Sequence, residues 1–276
     1  MRRTRRSLRS FLAQSINFPY HKQNWMQLSW PEHYHKLPPF RELFSTGVPI
    51  LMYHKIAPRP RRVRLKGLYV APATFKQQLV ELKENGFSAC NPVDACHNGQ
   101  PGPRIVLTFD DGFRNVFQNA LAPLTEGGWH AMQFLVPDCI GKMNEWDLRE
   151  GEAPEVLMDA VEVRDWLAAG HSIGSHSLTH ARLTRLSIRD AREEIIASKK
   201  KLEDTFGVPI QHFCYPYGDY NEAVRDLVIE AGYRTACTTQ FGVNTPETPP
   251  FTLNRITVRH PTRSLRTLRR KLLGTI

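Results

Sequence analysis

Short apolar runs recur along the chain: VPILMYH (48–54), RIVLTF (104–109), AMQFLVP (131–137), HSIGSH (171–176), HFCYPY (212–217), RTACTT (234–239) and LNRITV (253–258). Their length and their share of β-branched and aromatic residues fit buried strands better than helices. Between most of them, apolar residues return every three or four positions. The spacing of Phe75, Leu79 and Leu82 predicts a helix over 73–85, and that of Ile188, Ile195, Ile196, Leu202 and Phe206 predicts one over 187–206. GG (127–128), AGH (169–171) and AGY (231–233) read as helix stops before the next strand. Strand and helix thus alternate about seven times, the pattern of parallel strands joined by crossover helices. That predicts an α/β fold whose chemistry gathers at the carboxyl ends of the strands. Two stretches stand outside the pattern. Residues 138–160 read as a long loop bordering the site, and residues 1–46, rich in aromatics, Pro and Arg, as a basic N-terminal extension.

With 41% hydrophobic and 10% aromatic residues, the 276-residue chain can bury a substantial core, which excludes disorder for most of it. No apolar run reaches the ~18 residues of a transmembrane helix. The start, MRRTRRSLRSFLAQSINF, is Arg-rich and acid-free but lacks the apolar segment of about 7–15 residues that a secretory signal needs. It fits an organelle transit peptide or a plain basic arm. The five cysteines (Cys90, Cys96, Cys139, Cys214, Cys237) form no CxxC pair, which suits a reduced setting and a cytoplasmic or membrane-peripheral location. The net charge of +10 is unevenly placed. Residues 1–31 hold six Lys/Arg, 59–66 hold five and 248–276 hold seven, all without an acid, so the remainder stands at −8. Such stretches suit an anionic membrane surface, an acidic polymer or simply solvent. RSLRTLRRKLL (263–273) has Leu265, Leu268 and Leu272 at helical spacing and predicts a basic C-terminal helix over 263–276, packed on the core or lying on a membrane. Nucleic acid is not expected as a partner, because no aromatic-interleaved basic platform or zinc finger occurs.

The run 104–109 ends in Asp110, Asp111 and Gly112. Two like charges at the end of an apolar strand call for a cation or a proton between them. GSHSLTH (174–180) places His176 and His180 four apart, on one face if the turn enters a helix, so that both can reach a single metal. One Asp with two His leaves a coordination position for water, as a catalytic site does and a closed structural site does not. Tyr53–His54 and YPYG (215–218) fall at equivalent ends of other strands.

TFDDGF, HSLTH and YPYG, in this order, resemble the polysaccharide deacetylase family, the NodB-homology domain of carbohydrate esterase family 4, over roughly 48–258. The opening PILMYHKI looks like the branch that deacetylates poly-N-acetylglucosamine-type exopolysaccharides. The resemblance implies a distorted (β/α) barrel of about seven parallel strands and a catalytic domain over 47–262. It implies a metal-dependent hydrolase that removes N-acetyl groups from an amino sugar in a polysaccharide or glycolipid and releases acetate. Asp111, His176 and His180 become the ligands of a divalent ion, zinc by default with other first-row ions admissible. Asp110 becomes the general base, His54 the general acid, and Tyr217 an oxyanion donor through its backbone N–H, with Tyr217 and Pro216 against the substrate. The implied partner is an N-acetylated glycan. An O-acetyl esterase using the same site and an inactive carbohydrate-binding homologue are the alternatives.

One position departs from the family. Cys214 stands where many members carry an Arg that pairs with the base Asp. Either another cation orients Asp110, or the metal and burial set its pKa. RDW (164–166) resembles a further family motif only loosely, and Trp166 reads as packing. Asp138, Glu145 and Asp147 are candidates for sugar contact or plain solvated acids.

Overall fold

The computed structural model describes residues 30–61, 63–96, 102–148 and 153–259. In chain order the strands are β1 (Val48–Tyr53), β2 (Lys55–Ile56), β3 (Tyr69–Val70), β4 (Ser88–Ala89), β5 (Arg104–Phe109), β6 (Met132–Leu135), β7 (Ser172–Ser175), β8 (His212–Cys214), β9 (Thr235–Cys237), β10 (Val243–Asn244) and β11 (Ile256–Thr257). The helices are α1 (Arg41–Ser45), α2 (Pro72–Glu84), α3 (Arg114–Glu126), α4 (Glu145–Leu148), α5 (Ala160–Ala168), α6 (Ile188–Phe206) and α7 (Glu222–Glu230). Strands β1, β5, β6, β7, β8 and β9 lie side by side and parallel, so the chain returns through helices between successive strands. Leu253 bridges Cys237 in parallel, and β11 then pairs with β1 (Leu51↔Ile256, Met52↔Thr257). Residues 253–257 thus span from β9 to β1 and bring the two ends of a curled, barrel-like sheet together.

The two faces of the sheet carry different residues, as the strand period of two requires. In β5, Ile105, Leu107 and Phe109 join the core beneath the helices, while Val106 joins a second cluster with Ile50, Met132, Phe134, Cys214, Cys237 and Leu253 inside the curl. The same alternation carries Thr108 and then Asp110 to the inner side.

Each expected apolar run contains a strand. The run 212–217 yields only His212–Cys214, because Pro216 lacks the N–H a ladder needs and Tyr217 turns to φ 61°. Helix α2 buries Phe75, Leu79 and Leu82 as the spacing predicts. Helix α6 is capped by Ser187, whose hydroxyl accepts from the Asp190 N–H, and stops at Gly207 in the left-handed region. Its buried stripe is Ala191, Ile195, Ser198 and Leu202. Ile188, in the first turn, and Ile196, one position off the stripe, are exposed instead.

Two expectations about organisation change. Residues 31–46 do not stand outside the repeat but belong to one compact unit with the sheet. Tyr34, Leu37, Phe40 and Phe44 are buried, and the Tyr34 N–H donates to the Thr257 carbonyl (2.9 Å), because these side chains cover the edge where β11 meets β1. Residues 138–160 are not a plain loop: they hold α4 and antiparallel bridges Phe113↔Leu157 and Met143↔Val156. The basic start and the C-terminal helix expected over 263–276 lie outside the described residues. All five cysteines are free, and no helix among the described residues is long and apolar enough to cross a membrane.

Candidate active site

The carboxyl end of β5 delivers two adjacent carboxylates to different places. Asp110 continues the strand and is turned inward, 2% exposed; Asp111 leaves it at φ 74°, followed by Gly112 at φ 80°. Among the described residues, four non-glycine residues have positive φ, namely Asp111, Ser177, His180 and Tyr217, and all lie at this end of the sheet. Each such residue costs roughly 1–2 kcal/mol, which surrounding contacts must offset.

Asp111, His176 and His180 converge. The Asp111 Oδ1 lies 3.4 Å from His176 Nε2 and 3.3 Å from His180 Nε2. The His176 Nδ1 donates to the Cys214 carbonyl oxygen (2.7 Å), which fixes the ring with Nε2 turned toward Asp111. One donor atom from each residue lies within 4.8 Å of the others, a fit for one divalent ion of the zinc type. Burial alone would raise the Asp111 pKa, but the two imidazoles facing it hold it well below the usual carboxylate range.

Asp110 is gripped by a residue that no motif marks. Arg255, at the start of β11 and 1% exposed, donates from Nη1 to Asp110 Oδ1 (2.7 Å) and from Nη2 to Oδ2 (2.8 Å). This bidentate pair is the cation that Cys214 cannot supply, and Cys214 makes room for it: Arg255 Nη2 also lies 3.1 Å from Cys214 Sγ. Burial opposes a charge on Asp110, and Arg255 overcomes it, so the carboxyl stays below its ordinary pKa. Asp110, His176 and Cys214 form a second convergent set within 4.8 Å. A cation there would meet the guanidinium that contacts both Asp110 and Cys214, so the Asp111 set is the better metal site.

His54 follows β1 and reaches the same centre, its Nε2 3.9 Å from Asp110 Oδ2. Burial lowers its pKa below 6.5, against the pull of Asp111 and Asp110. Tyr217 sits beyond His180, rings 4.6 Å apart and nearly perpendicular, with the Arg182 guanidinium 3.7 Å over its outer face; Pro216 is buried behind it. Trp146 of α4 also stacks on His180, ring centroids 4.5 Å apart.

The three acids of the 138–160 stretch separate. Asp138 pairs with Lys201 at 2.7 Å and Glu145 is exposed. Asp147 is buried beside Lys55, whose Nζ lies 3.6 Å away and over the rings of Phe113 (4.5 Å) and Tyr69 (4.9 Å). Arg255, Trp146 and Lys55 are the site residues that sequence reasoning missed. The available signals were a lone Arg inside LNRITV, and a Trp in a stretch with no periodicity.

A family described as polysaccharide deacetylase matches residues 97–236, just over half the chain. YxkH of Bacillus subtilis, a protein named for polysaccharide deacetylases, is 28% identical over 216 residues, covering 76% of this chain and 71% of its own length. The peptidoglycan-N-acetylglucosamine deacetylase PgdA of Listeria monocytogenes is 26% identical over 62% of this chain and 32% of its own. A polysaccharide deacetylase structure from Bacillus cereus aligns with a TM-score of 0.66 at 28% identity, over 78% of this chain and 66% of that one. The chain therefore spans about a third of PgdA and about two-thirds of the Bacillus cereus protein.

Proposed function

The chain belongs to the polysaccharide deacetylase family, and on that premise we propose that it is a metal-dependent hydrolase that removes N-acetyl groups from an amino sugar in a glycan, releasing acetate. The observation that carries the reading is the division of labour between two adjacent carboxylates. Asp111 faces two imidazoles, while Asp110 faces a guanidinium and His54.

Asp111, His176 and His180 would hold the ion, with zinc the default and other first-row ions able to replace it. When bound, such an ion polarises the acetamide carbonyl and acidifies water. Asp110 accepts the proton of the attacking water; Arg255 keeps it ionised and fixes the direction of its two oxygens. The Tyr217 backbone N–H donates to the tetrahedral oxygen, a contribution worth ~2.7–4 kcal/mol in sites of this kind. His54 hands a proton to the departing amine. It is neutral at rest, and Asp110, 3.9 Å away, is the group that relays the water's proton to it. Trp146 and Tyr217 flank His180 and offer aromatic surface to a sugar ring. The sugar class follows from the family and from the substrate that PgdA's name gives.

The test is acetate release from neutral N-acetylglucosamine oligomers and from O-acetylated xylan, before and after chelation. The reading expects release from the amide substrate, its loss on chelation and its return with a divalent ion. Full amide hydrolysis by metal-free protein would sink it, and release from the xylan alone would favour the esterase.

A further inference from the structure

From Glu42 to Glu81 the chain contains no intervening Asp or Glu, yet it carries Lys55, Arg59, Arg61, Arg62, Arg64, Lys66 and Lys76. The fold starts the loop that carries Arg59, Arg61, Arg64 and Lys66 beside the site. Strand β1 ends one residue before His54, and β2 pairs in parallel with β3 (Lys55↔Tyr69, Ile56↔Val70), so residues 57–68 leave and return at that rim.

Both ends of the loop are anchored. The Ile56 N–H donates to Asn115 Oδ1 (3.0 Å), Asn119 Nδ2 donates to the Ile56 carbonyl (2.8 Å), and the Tyr69 hydroxyl donates to Glu155 (2.8 Å). Two carboxylates of the neighbouring stretch are occupied below the surface: Asp147 by Lys55 and Asn144, Glu155 by Tyr69 and Asn115. Arg59, Arg61, Arg64 and Lys66 are exposed above them. Arg259, exposed just past β11, crosses the loop at Gly67, where a Cβ would come within 2.6 Å of its Cδ. The segment after β11 and the loop therefore share one basic rim on the His54 side.

A neutral sugar gains nothing from such a rim, whereas an anionic one is drawn to it. Guanidinium groups suit the paired oxygens of phosphate and carboxylate. We propose that the substrate is an N-acetylated glycan that is anionic close to the sugar being hydrolysed, its phosphate or carboxylate groups held by Arg59, Arg61, Lys66 and Arg259. The proposal rests on the deacetylase reading of the site. Arg59 is five residues beyond His54, hence at most ~18 Å away along the chain. That is about two Debye lengths at physiological salt, so the attraction weakens as salt rises.

The experiment measures acetate release by the metal-loaded full chain on three substrates. These are a neutral N-acetylglucosamine oligomer, N-acetylglucosamine carrying an anomeric phosphate, and a polymer alternating N-acetylglucosamine with a uronic acid. At low salt, KM for an anionic substrate should lie about tenfold below that of the neutral one, and the two should converge near 0.5 M salt, roughly. Preference for the phosphate or for the uronate identifies the source of the charge. Arg59→Glu with Arg61→Glu should raise the anionic KM about tenfold while leaving kcat and the neutral KM unchanged. Equal KM values at low salt, or equal losses on all substrates, overturn the proposal. Absence of acetate from every substrate defeats the deacetylase reading instead. The rim is then judged by equilibrium binding of the same anionic sugars, which the double variant must weaken if the proposal holds. Adsorption to anionic vesicles, lost in the variant while soluble glycans are not discriminated, would assign the rim to a membrane and refute it.

Discussion

Both ends of the curled sheet bury histidines, and the two ends treat them differently. At the carboxyl ends of the strands, His176 and His180 face Asp111, and His54 faces Asp110. At the amino ends, His171 is 5% exposed, packed at 4.5 Å on Trp166, and neither of its ring nitrogens has a hydrogen-bond partner among the described residues. His212 binds Thr235 and His130 binds Ser172, both through hydroxyls. Burial drives His171 and His212 down to about 4, whereas at His176 the opposing effect of burial is overcome by Cys214 and Asp111, which hold it well above 6.5. Among the described residues, the non-glycine positions with positive φ are likewise confined to one end. A buried imidazole alone is packing; carboxylates and left-handed turns around it make a site.

The comparison breaks most severely at Asp110. Asp110→Asn should keep the metal yet hydrolyse at least ~100-fold more slowly, the scale of a lost general base. Asp111→Asn should lose metal instead. Equal metal loss in both variants, read by elemental analysis, would erase the division between them.

A second, smaller effect concerns His54. His54→Ala should retain metal and lose about 100-fold on an N-acetyl sugar. It should lose much less on a nitrophenyl ester, whose leaving group needs no proton. Equal losses would make His54 a positioning residue.

Arg255→Met comes third. It leaves a buried carboxylate unpaired, which destabilises the fold by about 3–5 kcal/mol. Because Arg255 depresses the Asp110 pKa, its contribution is present above the unfolded value near ~3.9 and fades as pH falls through the folded one. The variant should therefore lose that acid-side slope, and the acidic limb of kcat/KM should move to higher pH. An unmoved limb would mean that the metal alone sets Asp110.

The weakest expected change lies at the other end. His171 is neutral when folded, so the unfolded chain binds more protons between about 6.5 and 4, and stability falls as pH falls through that window. His171→Phe should leave activity at pH 7 intact and recover on the order of 1–3 kcal/mol at pH 4. A catalytic defect there would undo the contrast between the two ends.

How much of this was legible depended on whether the information is local. TFDDG, HSLTH and YPYG each pack a strand end and its chemistry into a few residues, so both the alternating fold and the converging Asp110, Asp111, His176 and His180 could be read directly. Arg255 could not. Its meaning arises only when β11 meets β1, and its partner is 145 residues away. Trp146 and Lys55 belong to the same class, because contacts across a non-periodic stretch leave no spacing to read. The burial of Tyr34, Phe40 and Phe44 was hidden by the Arg-rich, Pro-rich composition around them.

The closing segment 253–257 has a consequence for how the molecule is made. Synthesis proceeds from the amino end, so Asp110 is available long before Arg255. Until then a closed sheet would bury a carboxylate with no counter-charge, a state several kcal/mol uphill. The nascent chain is thus discouraged from sealing its interior early, and the long-range contact that completes it is of the kind that forms slowly. Docking of one short strand then supplies the last hydrogen bonds of the sheet and the partner of Asp110 in a single event. A chain interrupted before residue 255 would leave the sheet open and Asp110 unpaired, so the Asp110–Arg255 pair itself reports that folding has finished.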